Sequence, residues 1–288
     1  MRAYLTLLRP ANVATALADV LAGFAVAGLA NRAALPWLLV ATACLYGGGV
    51  VLNDYFDRDI DSRERPERPI PSGRVPAAHA AALGGLLLAS GVLCGWAAGP
   101  AAGWIAAILA GVVLLYDVWG KRHGVVAPLN MGLCRGLNLL LGMAAVPAAL
   151  ETAWPLALIP VAYIWAVTSL SRGEVHGGSR RAATSAIGVL SGALAALVAV
   201  ALGSGPGDRS LPGLVLALFL AWRVLPPFMK ARREPSPGNI RAAVVRGVLS
   251  LVLLNAALGA TYAGPAYAAV ILAVGLVAGA LARLFAVT

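Results

Sequence analysis

Residues 36–61 read PWLLVATACLYGGGVVLNDYFDRDID, an apolar run followed at once by four acids. The run 36–52 is long enough to cross the hydrocarbon core of a bilayer as a helix. Carboxylates beside hydrocarbon are costly, so side chains of this kind usually serve a function. The stretch therefore predicts a membrane span that ends in acidic side chains with a chemical function.

The whole chain has the composition of a polytopic membrane protein. Of its 288 residues, 60% are hydrophobic and 12% are charged, against about 25% charged in an ordinary soluble domain. We predict ten spans, at 12–30, 36–52, 76–98, 101–117, 127–147, 154–172, 182–203, 211–230, 239–262 and 265–286. The expected fold is an all-α transmembrane bundle of nine to ten helices around a central cavity, as one integral-membrane domain over residues 1–288.

The basic residues follow the predicted topology. The chain has 22 Lys and Arg against 12 Asp and Glu, a net charge of +10. With the N-terminus in the cytoplasm of a bacterial-type membrane, every base except Arg32 and Arg209 falls on or near the cytoplasmic side. Topology thus explains the charge, and we expect no nucleic-acid partner. The loops after spans two, four and six would all face the cytoplasm and could together cover one cavity.

Glycine and alanine are abundant within the predicted spans. Small residues let helix backbones approach closely in a membrane, where lipid gives no hydrophobic drive for association. We therefore expect Gly84, Gly85 and the glycines of 188–192 to lie at helix contacts.

The acids after the second span have the spacing of one helix face. Asp54, Asp57 and Asp61 are separated by three and four residues, so on a continuous helix they would project together. Three such charges repel unless a cation bridges them, and Mg²⁺ prefers oxygen ligands of this kind. Asn53 would help to orient the array. The alternative is a helix end whose acids pair with nearby arginines such as Arg58 and Arg63.

The acidic motif continues into RPERPIPSGR at 65–74, and Arg9-Pro10-x-Asn12 precedes the first span. Together these segments resemble the signatures of the UbiA superfamily of intramembrane prenyltransferases. The resemblance covers nearly the whole chain. It implies that Asp54, Asp57 and Asp61 bind Mg²⁺ and that they, with Arg68 in the continuation, hold the diphosphate of an isoprenoid donor.

The loop after the fourth span carries Tyr116 and the pair Lys121-Arg122, similar to a Tyr and Lys-Arg segment of that family. Lys121 is expected to act in catalysis, and Arg122 to bind phosphate oxygens, for which a guanidinium is well shaped. The alternative is that these bases anchor the topology, and that Tyr116 is an interfacial aromatic side chain.

The loop after the sixth span lies where the family has a second aspartate-rich motif, and here it contains no aspartate. Glu174 is its only carboxylate and a candidate second metal ligand, with His176 the other conceivable one. Arg180 could add positive charge for a phosphate. The departure puts a second Mg²⁺ site in doubt. This loop and the terminal segment 283–288 resemble the UbiA-like branch named EboC.

Polar side chains also occur inside the spans. Asn12 and Asp19 share a face of the first helix, and Arg135 and Asn138 lie inside the fifth. Ionisable residues in a membrane usually face a cavity or the protein interior. We expect Arg135 and Asn138 to bind substrate with Asn12, although an Arg135–Asp19 ion pair is the structural alternative. Asn255 is expected to make a hydrogen bond between helices.

These observations predict Mg²⁺-dependent transfer of a prenyl group from an isoprenyl diphosphate to a lipophilic or aromatic, electron-rich acceptor within the membrane. Excluding water from the cavity would protect an allylic cation. The enzymatic alternative is an intramembrane terpene cyclase, which needs no acceptor. A UbiA-like protein with altered or lost activity and a membrane transporter are further alternatives. A transporter would have polar groups distributed through the midplane, whereas here they concentrate at one side.

Overall fold

The computed structural model describes residues 2–174, 177–203 and 210–284, and the regular secondary structure of this part of the chain is helical, without strands. Two single 3₁₀ turns, Gly120–Arg122 and Trp154–Ala157, lie among the α-helices. The helices are α1 (Arg2–Leu8), α2 (Pro10–Val26), α3 (Leu35–Phe56), α4 (Arg58–Glu64), α5 (Ala77–Ala98), α6 (Pro100–Val118), α7 (Val126–Met143), α8 (Pro147–Ala153), α9 (Leu158–Ser171), α10 (Arg180–Gly203), α11 (Ser210–Arg233), α12 (Pro237–Ala263) and α13 (Pro265–Leu284).

Eight helical segments of the described chain are long and apolar enough to cross a membrane, with α8 and α9 together forming one of them. The pair α1 and α2, bent by 40°, qualifies as a ninth. The fifth predicted span forms α7, which does not meet the same apolar criterion. Its Asn130, Arg135 and Asn138 are buried, so these polar groups face protein rather than lipid. The all-α bundle is confirmed, and the protein is an integral membrane protein. That residues 1–288 form one domain stays a prediction.

Helices α2 and α7 join the two halves of the bundle. They pack against each other, and α2 also contacts α3, α12 and α13. One hydrophobic cluster, formed with α9 to α13, includes Ala18 and Leu139. A second, formed with α3, α5 and α6, includes Val20 and Leu141. Because α2 and α7 contribute to both clusters, the polar side chains between them lie at the centre of the protein.

Two of the connections between spans are reduced to a single glycine followed by a proline. Gly99 joins α5 to α6 with φ 149°, and Gly264 joins α12 to α13 with φ 90°. A side chain is disfavoured at such angles, and the proline that follows is well suited to the first position of the next helix. These turns hold each helix pair antiparallel.

The segments that follow α3, α6 and α9 meet at one end of the bundle. Lys121 of the second segment forms an ion pair with Asp57 of the first. A Cβ added to Gly124 would lie 3.4 Å from the Arg172 guanidinium at the end of α9. At the other end, Asn31 donates a hydrogen bond to the Ala145 carbonyl. The predicted gathering of the three loops is therefore observed, while the side of the membrane that they face stays a prediction.

Candidate active site

A cavity of about 260 Å³ opens between α2, α3, α6 and α7. Leu45, Val50, Leu109 and Val113 give it an apolar wall. Five of the predicted site residues contribute to the lining, namely Asn12, Asn53, Tyr116, Arg135 and Asn138. The structure thus brings together side chains that are more than a hundred positions apart in sequence.

The mouth of this cavity is bounded by paired carboxylates. Asp54 and Asp61 are each 5% exposed. The Arg68 Nη1 lies 2.7 Å from Asp61 Oδ2 and 3.3 Å from Asp54 Oδ1. Arg9 Nη2, which belongs to a cavity-lining residue, is 2.5 Å from the same Asp54 oxygen. The two carboxylates therefore converge on a single cationic nitrogen. Asp54 and Asp61 thus pair with Arg9 and Arg68. Of the arginines in the alternative interpretation, Arg58 pairs with the exposed Asp59 instead.

Asp57 faces a different cation. Helix α3 ends at Phe56 and α4 begins at Arg58, so Asp57 lies at a break between the two helices. Its Oδ1 is 2.6 Å from Lys121 Nζ. The helical hydrogen bonds continue across this junction, because the Asp57 N–H donates to the Asn53 carbonyl and the Asp61 N–H donates to the Asp57 carbonyl. Asp57 differs from Asp54 and Asp61 in its cation, which is Lys121 and not Arg68. Within the described residues, no three His, Cys, Asp or Glu side chains are grouped closely enough to hold a metal unaided.

Arg9 reaches the acids through an unusual backbone conformation. It lies between α1 and α2 with φ 45° and ψ 63°, in the left-handed region. The proline at position 10 disfavours the right-handed helical conformation for the residue before it. A left-handed residue with a side chain costs about 1–3 kcal/mol and is found where surrounding contacts hold it, often at functional sites. Here the ion pair with Asp54 provides such a contact.

A buried polar network occupies the wall between α2, α7 and α12. Asp19 Oδ2 accepts hydrogen bonds from Arg135 at 2.9 Å and from Asn138 at 3.2 Å. Asp19 Oδ1 accepts a bond of 2.7 Å from Asn255. The predicted helix-to-helix bond of Asn255 is therefore confirmed, and the Arg135–Asp19 ion pair is present. Whether Arg135 also binds diphosphate stays a prediction.

The Arg135 and Asn138 side chains are held from further directions. Arg135 Nη2 donates to the Thr15 hydroxyl at 3.2 Å, and its guanidinium lies over the Tyr46 ring, 5.3 Å from the centroid. Asn138 contacts the Thr42 hydroxyl and donates to the Ala16 carbonyl. Such a network presents fixed polar groups to the cavity without a net charge, because Asp19 balances Arg135.

Asp117 is a site residue that sequence reasoning missed. It ends the apolar part of α6, lines the cavity and is 2% exposed. Asn53 donates to its Oδ1 at 3.0 Å, whereas its Oδ2 is buried without a hydrogen-bond partner. The signal was an acid directly beside Tyr116 at the end of a span, which is the same signal that singled out the first acidic stretch.

The third loop contributes less to this cavity. Burial raises the pKa of the Glu174 carboxyl, against the opposing effect of Arg241 and Arg65 nearby. Arg180 donates to the Arg233 carbonyl instead and does not line the cavity. Arg122 is exposed and also lies outside the lining. The structure therefore does not bring Arg122 and Arg180 to the cavity, and His176 falls outside the described residues.

The acidic side chains at the mouth of the cavity are suited to a hard divalent cation. Their carboxylates offer oxygen atoms, the ligands that Mg²⁺ prefers. Asp54 and Asp61 already converge on a positive charge, that of the Arg68 guanidinium. These carboxylates thus fit Mg²⁺, which would bind the carboxylate oxygens that the basic side chains release.

Sequence comparison identifies a protein family and relatives of this chain. The profile of the UbiA prenyltransferase family matches residues 14–243. A digeranylgeranylglyceryl phosphate synthase of Ignicoccus hospitalis is 37% identical over 213 residues, 71% of this chain and 70% of the relative. The synthase of the same name from Methanothermobacter thermautotrophicus is 33% identical over 144 residues, 49% of this chain and 50% of its own. The resemblance to the EboC branch stays a prediction.

Solved structures have the same fold. A structure concerned with digeranylgeranylglyceryl phosphate synthase in membranes aligns with a TM-score of 0.70 at 20% identity, covering 90% of this chain and 98% of the other. A UbiA homologue from Archaeoglobus fulgidus, bound to DMAPP and Mg²⁺, aligns with a TM-score of 0.64 at 17% identity, covering 88% and 98%. With the family profile spanning most of its length, the chain belongs to the UbiA prenyltransferase family and is a prenyltransferase.

Proposed function

We propose that this protein transfers a prenyl group from an isoprenyl diphosphate to a hydroxyl group of a glyceryl phosphate lipid, in a Mg²⁺-dependent reaction. The observation that carries the proposal is the apolar cavity whose mouth combines converging carboxylates with Arg9, Arg68 and Lys121. A polyprenyl tail fits apolar walls, and a diphosphate fits a mouth of this composition.

The names of the relatives support the choice of acceptor. They describe synthases of digeranylgeranylglyceryl phosphate, a product that carries prenyl groups on a glyceryl unit. The same names do not support the aromatic acceptor that the sequence suggested. A hydroxyl on glycerol is therefore the acceptor group that we assign to this chain.

The metal would be held by Asp54, Asp57 and Asp61, and Glu174 is a candidate for a further ligand. Bound there, Mg²⁺ would supply positive charge that stabilises the departing diphosphate. The protein's own bases do the rest of the binding: Arg68 and Arg9 would turn from the carboxylates toward phosphate oxygens, and Lys121 would do so from the Asp57 side. The apolar wall excludes water from the allylic centre.

The sidedness of the reaction is part of the proposal. Positive charge concentrates in the loops that carry the candidate site, and in membrane proteins such loops are typically cytoplasmic. We therefore place the diphosphate site on the cytoplasmic side, where a water-soluble head group can reach it.

The test uses the purified full-length protein with Mg²⁺, geranylgeranyl diphosphate and geranylgeranylglyceryl phosphate. We expect a doubly prenylated product by mass spectrometry and one pyrophosphate released per product. Asp54→Asn and Asp57→Asn should each abolish both signals. The control is Asp59→Asn, because the Asp59 side chain in the same stretch is 85% exposed.

Three outcomes would contradict the proposal. A cyclised donor formed without acceptor would assign a cyclase. Absence of any product from the wild-type protein with this pair would remove the assigned substrates. Full activity of both Asp54→Asn and Asp57→Asn would remove these acids from the diphosphate site.

A further inference from the structure

The prenyl acceptor proposed above is an alcohol, and an alcohol must lose a proton when its oxygen is alkylated. Water is the usual proton acceptor for such a step, but Leu45, Val50, Leu109 and Val113 give the cavity an apolar wall that disfavours water. A group of the protein is then needed close to the hydroxyl. Such a base must be within hydrogen-bond reach of the proton that it takes.

Among the described residues that line the cavity, Asp117 is the one carboxylate, and none is a histidine. The acids of the mouth, Asp54, Asp57 and Asp61, do not belong to this lining. Arg9 and Arg135 are cations and cannot accept a proton, and the tyrosine hydroxyls are far weaker bases than a carboxylate at neutral pH. The Cys134 thiol, which also lines the cavity, donates its proton to a hydrogen bond with the Asn130 side-chain oxygen. The choice of proton acceptor inside the cavity therefore narrows to Asp117.

The surroundings of Asp117 suit that role. Its Oδ1 is fixed by the amide of Asn53 at 3.0 Å, so the carboxylate has a defined orientation. Its Oδ2 is buried and receives no hydrogen bond. A buried polar oxygen without a partner costs free energy, about 1–3 kcal/mol for an ordinary group and more for a charged one. A hydroxyl group brought by the substrate would satisfy it once the Asp117 side chain, which lines the cavity, turns Oδ2 toward that space.

We infer that Asp117 is the general base of the transfer reaction, binding the acceptor hydroxyl and taking its proton. This inference rests on the proposed function. The bond between C1 of the prenyl group and the diphosphate oxygen breaks, and its electron pair leaves with the diphosphate. The acceptor oxygen forms the new bond to C1, and its proton passes to Oδ2 of Asp117. The proton leaves with the pyrophosphate, which restores the carboxylate.

The first experiment compares wild type with Asp117→Asn, which keeps the size of the side chain but not its basicity, using Mg²⁺, geranylgeranyl diphosphate and geranylgeranylglyceryl phosphate. We expect kcat for ether formation to fall by about 100-fold or more. The KM of the donor and the Mg²⁺ concentration for half-maximal rate should stay unchanged. Asp117→Glu should retain more activity than Asp117→Asn, because it keeps a carboxylate.

The second experiment separates a base from a merely structural residue. In the acceptor, a thiol replaces the reactive hydroxyl, and a thiol ionises without much help near neutral pH. We expect Asp117→Asn to use this thiol acceptor within about threefold of the wild-type rate, since a thiolate needs no general base. A structural defect would depress both reactions alike. If Asp117→Asn does not fold, Asp117→Ser takes its place in both experiments.

The possible failures can be told apart. If wild type makes no ether, the proposed function is wrong whatever Asp117 does. Wild-type ether formation by Asp117→Asn would overturn only the inference. A raised Mg²⁺ requirement in Asp117→Asn would overturn it in favour of a metal ligand, and equal losses with hydroxyl and thiol acceptors would overturn it in favour of a structural role.

Discussion

Arg135 and Asp19 form a charge pair in the middle of the membrane domain. Asp19 is 1% exposed and Arg135 is 8% exposed, and their closest atoms are 2.9 Å apart. Removing one partner of a buried pair leaves an uncompensated charge, at a cost of about 3–5 kcal/mol. We therefore expect Arg135→Met to lower the thermal unfolding midpoint clearly, and Arg135→Met with Asp19→Asn to recover part of the loss. Unfolding in detergent measures both effects, with exposed Arg32→Met as the control.

The same variant separates the two interpretations of Arg135. If the side chain is purely structural, Arg135→Met that is kept folded by cooling should bind geranylgeranyl diphosphate as wild type does. A donor KM at least tenfold higher, with the unfolding midpoint unchanged, would contradict the structural interpretation and assign Arg135 to the diphosphate.

Glu174 gives the protein a pH-dependent contribution to stability. Burial raises the pKa of its carboxyl, and Arg241 and Arg65 oppose the shift. The protonated acid is thus favoured in the folded state. Its contribution is complete below the ordinary pKa of a glutamate and is lost as the pH rises through the raised value. At pH 8 we expect Glu174→Gln to be at least as stable as wild type.

The comparison needs two pH values and a matched control. At pH 4 the free energy of unfolding of the wild type should rise relative to that of Glu174→Gln, because the Glu174 side chain is then protonated. Exposed Glu151→Gln should show no such change between the two conditions. A wild type that is more stable than Glu174→Gln at pH 8 would mean that the arginines stabilise the ionised acid.

The contact between α2 and α7 depends on two facing glycines. A Cβ on Gly23 would lie 2.0 Å from the Leu139 carbonyl oxygen, and one on Gly142 would lie 2.1 Å from that of Val20. Neither backbone can yield without separating the helices. We expect Gly23→Ala and Gly142→Ala to reduce the unfolding midpoint and the rate of prenyl transfer together, because α2 and α7 carry Asn12, Asp19, Arg135 and Asn138.

A control for this prediction exists in α10. Gly188 and Gly192 have no atom within 4 Å of an added Cβ, so alanine there costs no space. Replacing either glycine should be neutral or stabilising by about 0.5–1 kcal/mol, through helix propensity. An equal fall of the unfolding midpoint in Gly142→Ala and Gly188→Ala would contradict the packing argument. The expectation that the glycines of 188–192 lie at helix contacts was wrong, as it was for Gly85, whereas Gly84 does contact Leu52.

The orientation of the whole protein can be tested with single cysteines. Ser62 lies in the acidic segment at the cavity mouth, and Thr152 lies at the opposite end in α8, and both are exposed. In a background with Cys44, Cys94 and Cys134 replaced by alanine, we expect a membrane-impermeant maleimide to label Thr152→Cys in intact cells. Ser62→Cys should be labelled only after lysis. The reverse pattern would place the site on the outer side.

The fold was largely predictable because hydrocarbon imposes a local rule. A span must be apolar over about 20 residues whatever its neighbours are, so composition reveals it in the linear chain. Helix α7, which forms a predicted span but does not meet the apolar criterion, carries the buried Arg135 and Asn138. The acids of 53–61 were equally visible, because charge at the end of a span stands out from its surroundings.

The amino-acid sequence by itself thus determined the membrane bundle, the distribution of positive charge and the position of the first acidic motif. Only the tertiary structure decided which charges meet. Arg68 forms ion pairs with both Asp54 and Asp61, and Lys121 forms one with Asp57. Asn53 donates a hydrogen bond to Asp117. The physical reason is that electrostatic partners are chosen by distances between helices across the bundle. Those distances depend on close contacts, such as that of α2 with α7, which no local pattern encodes.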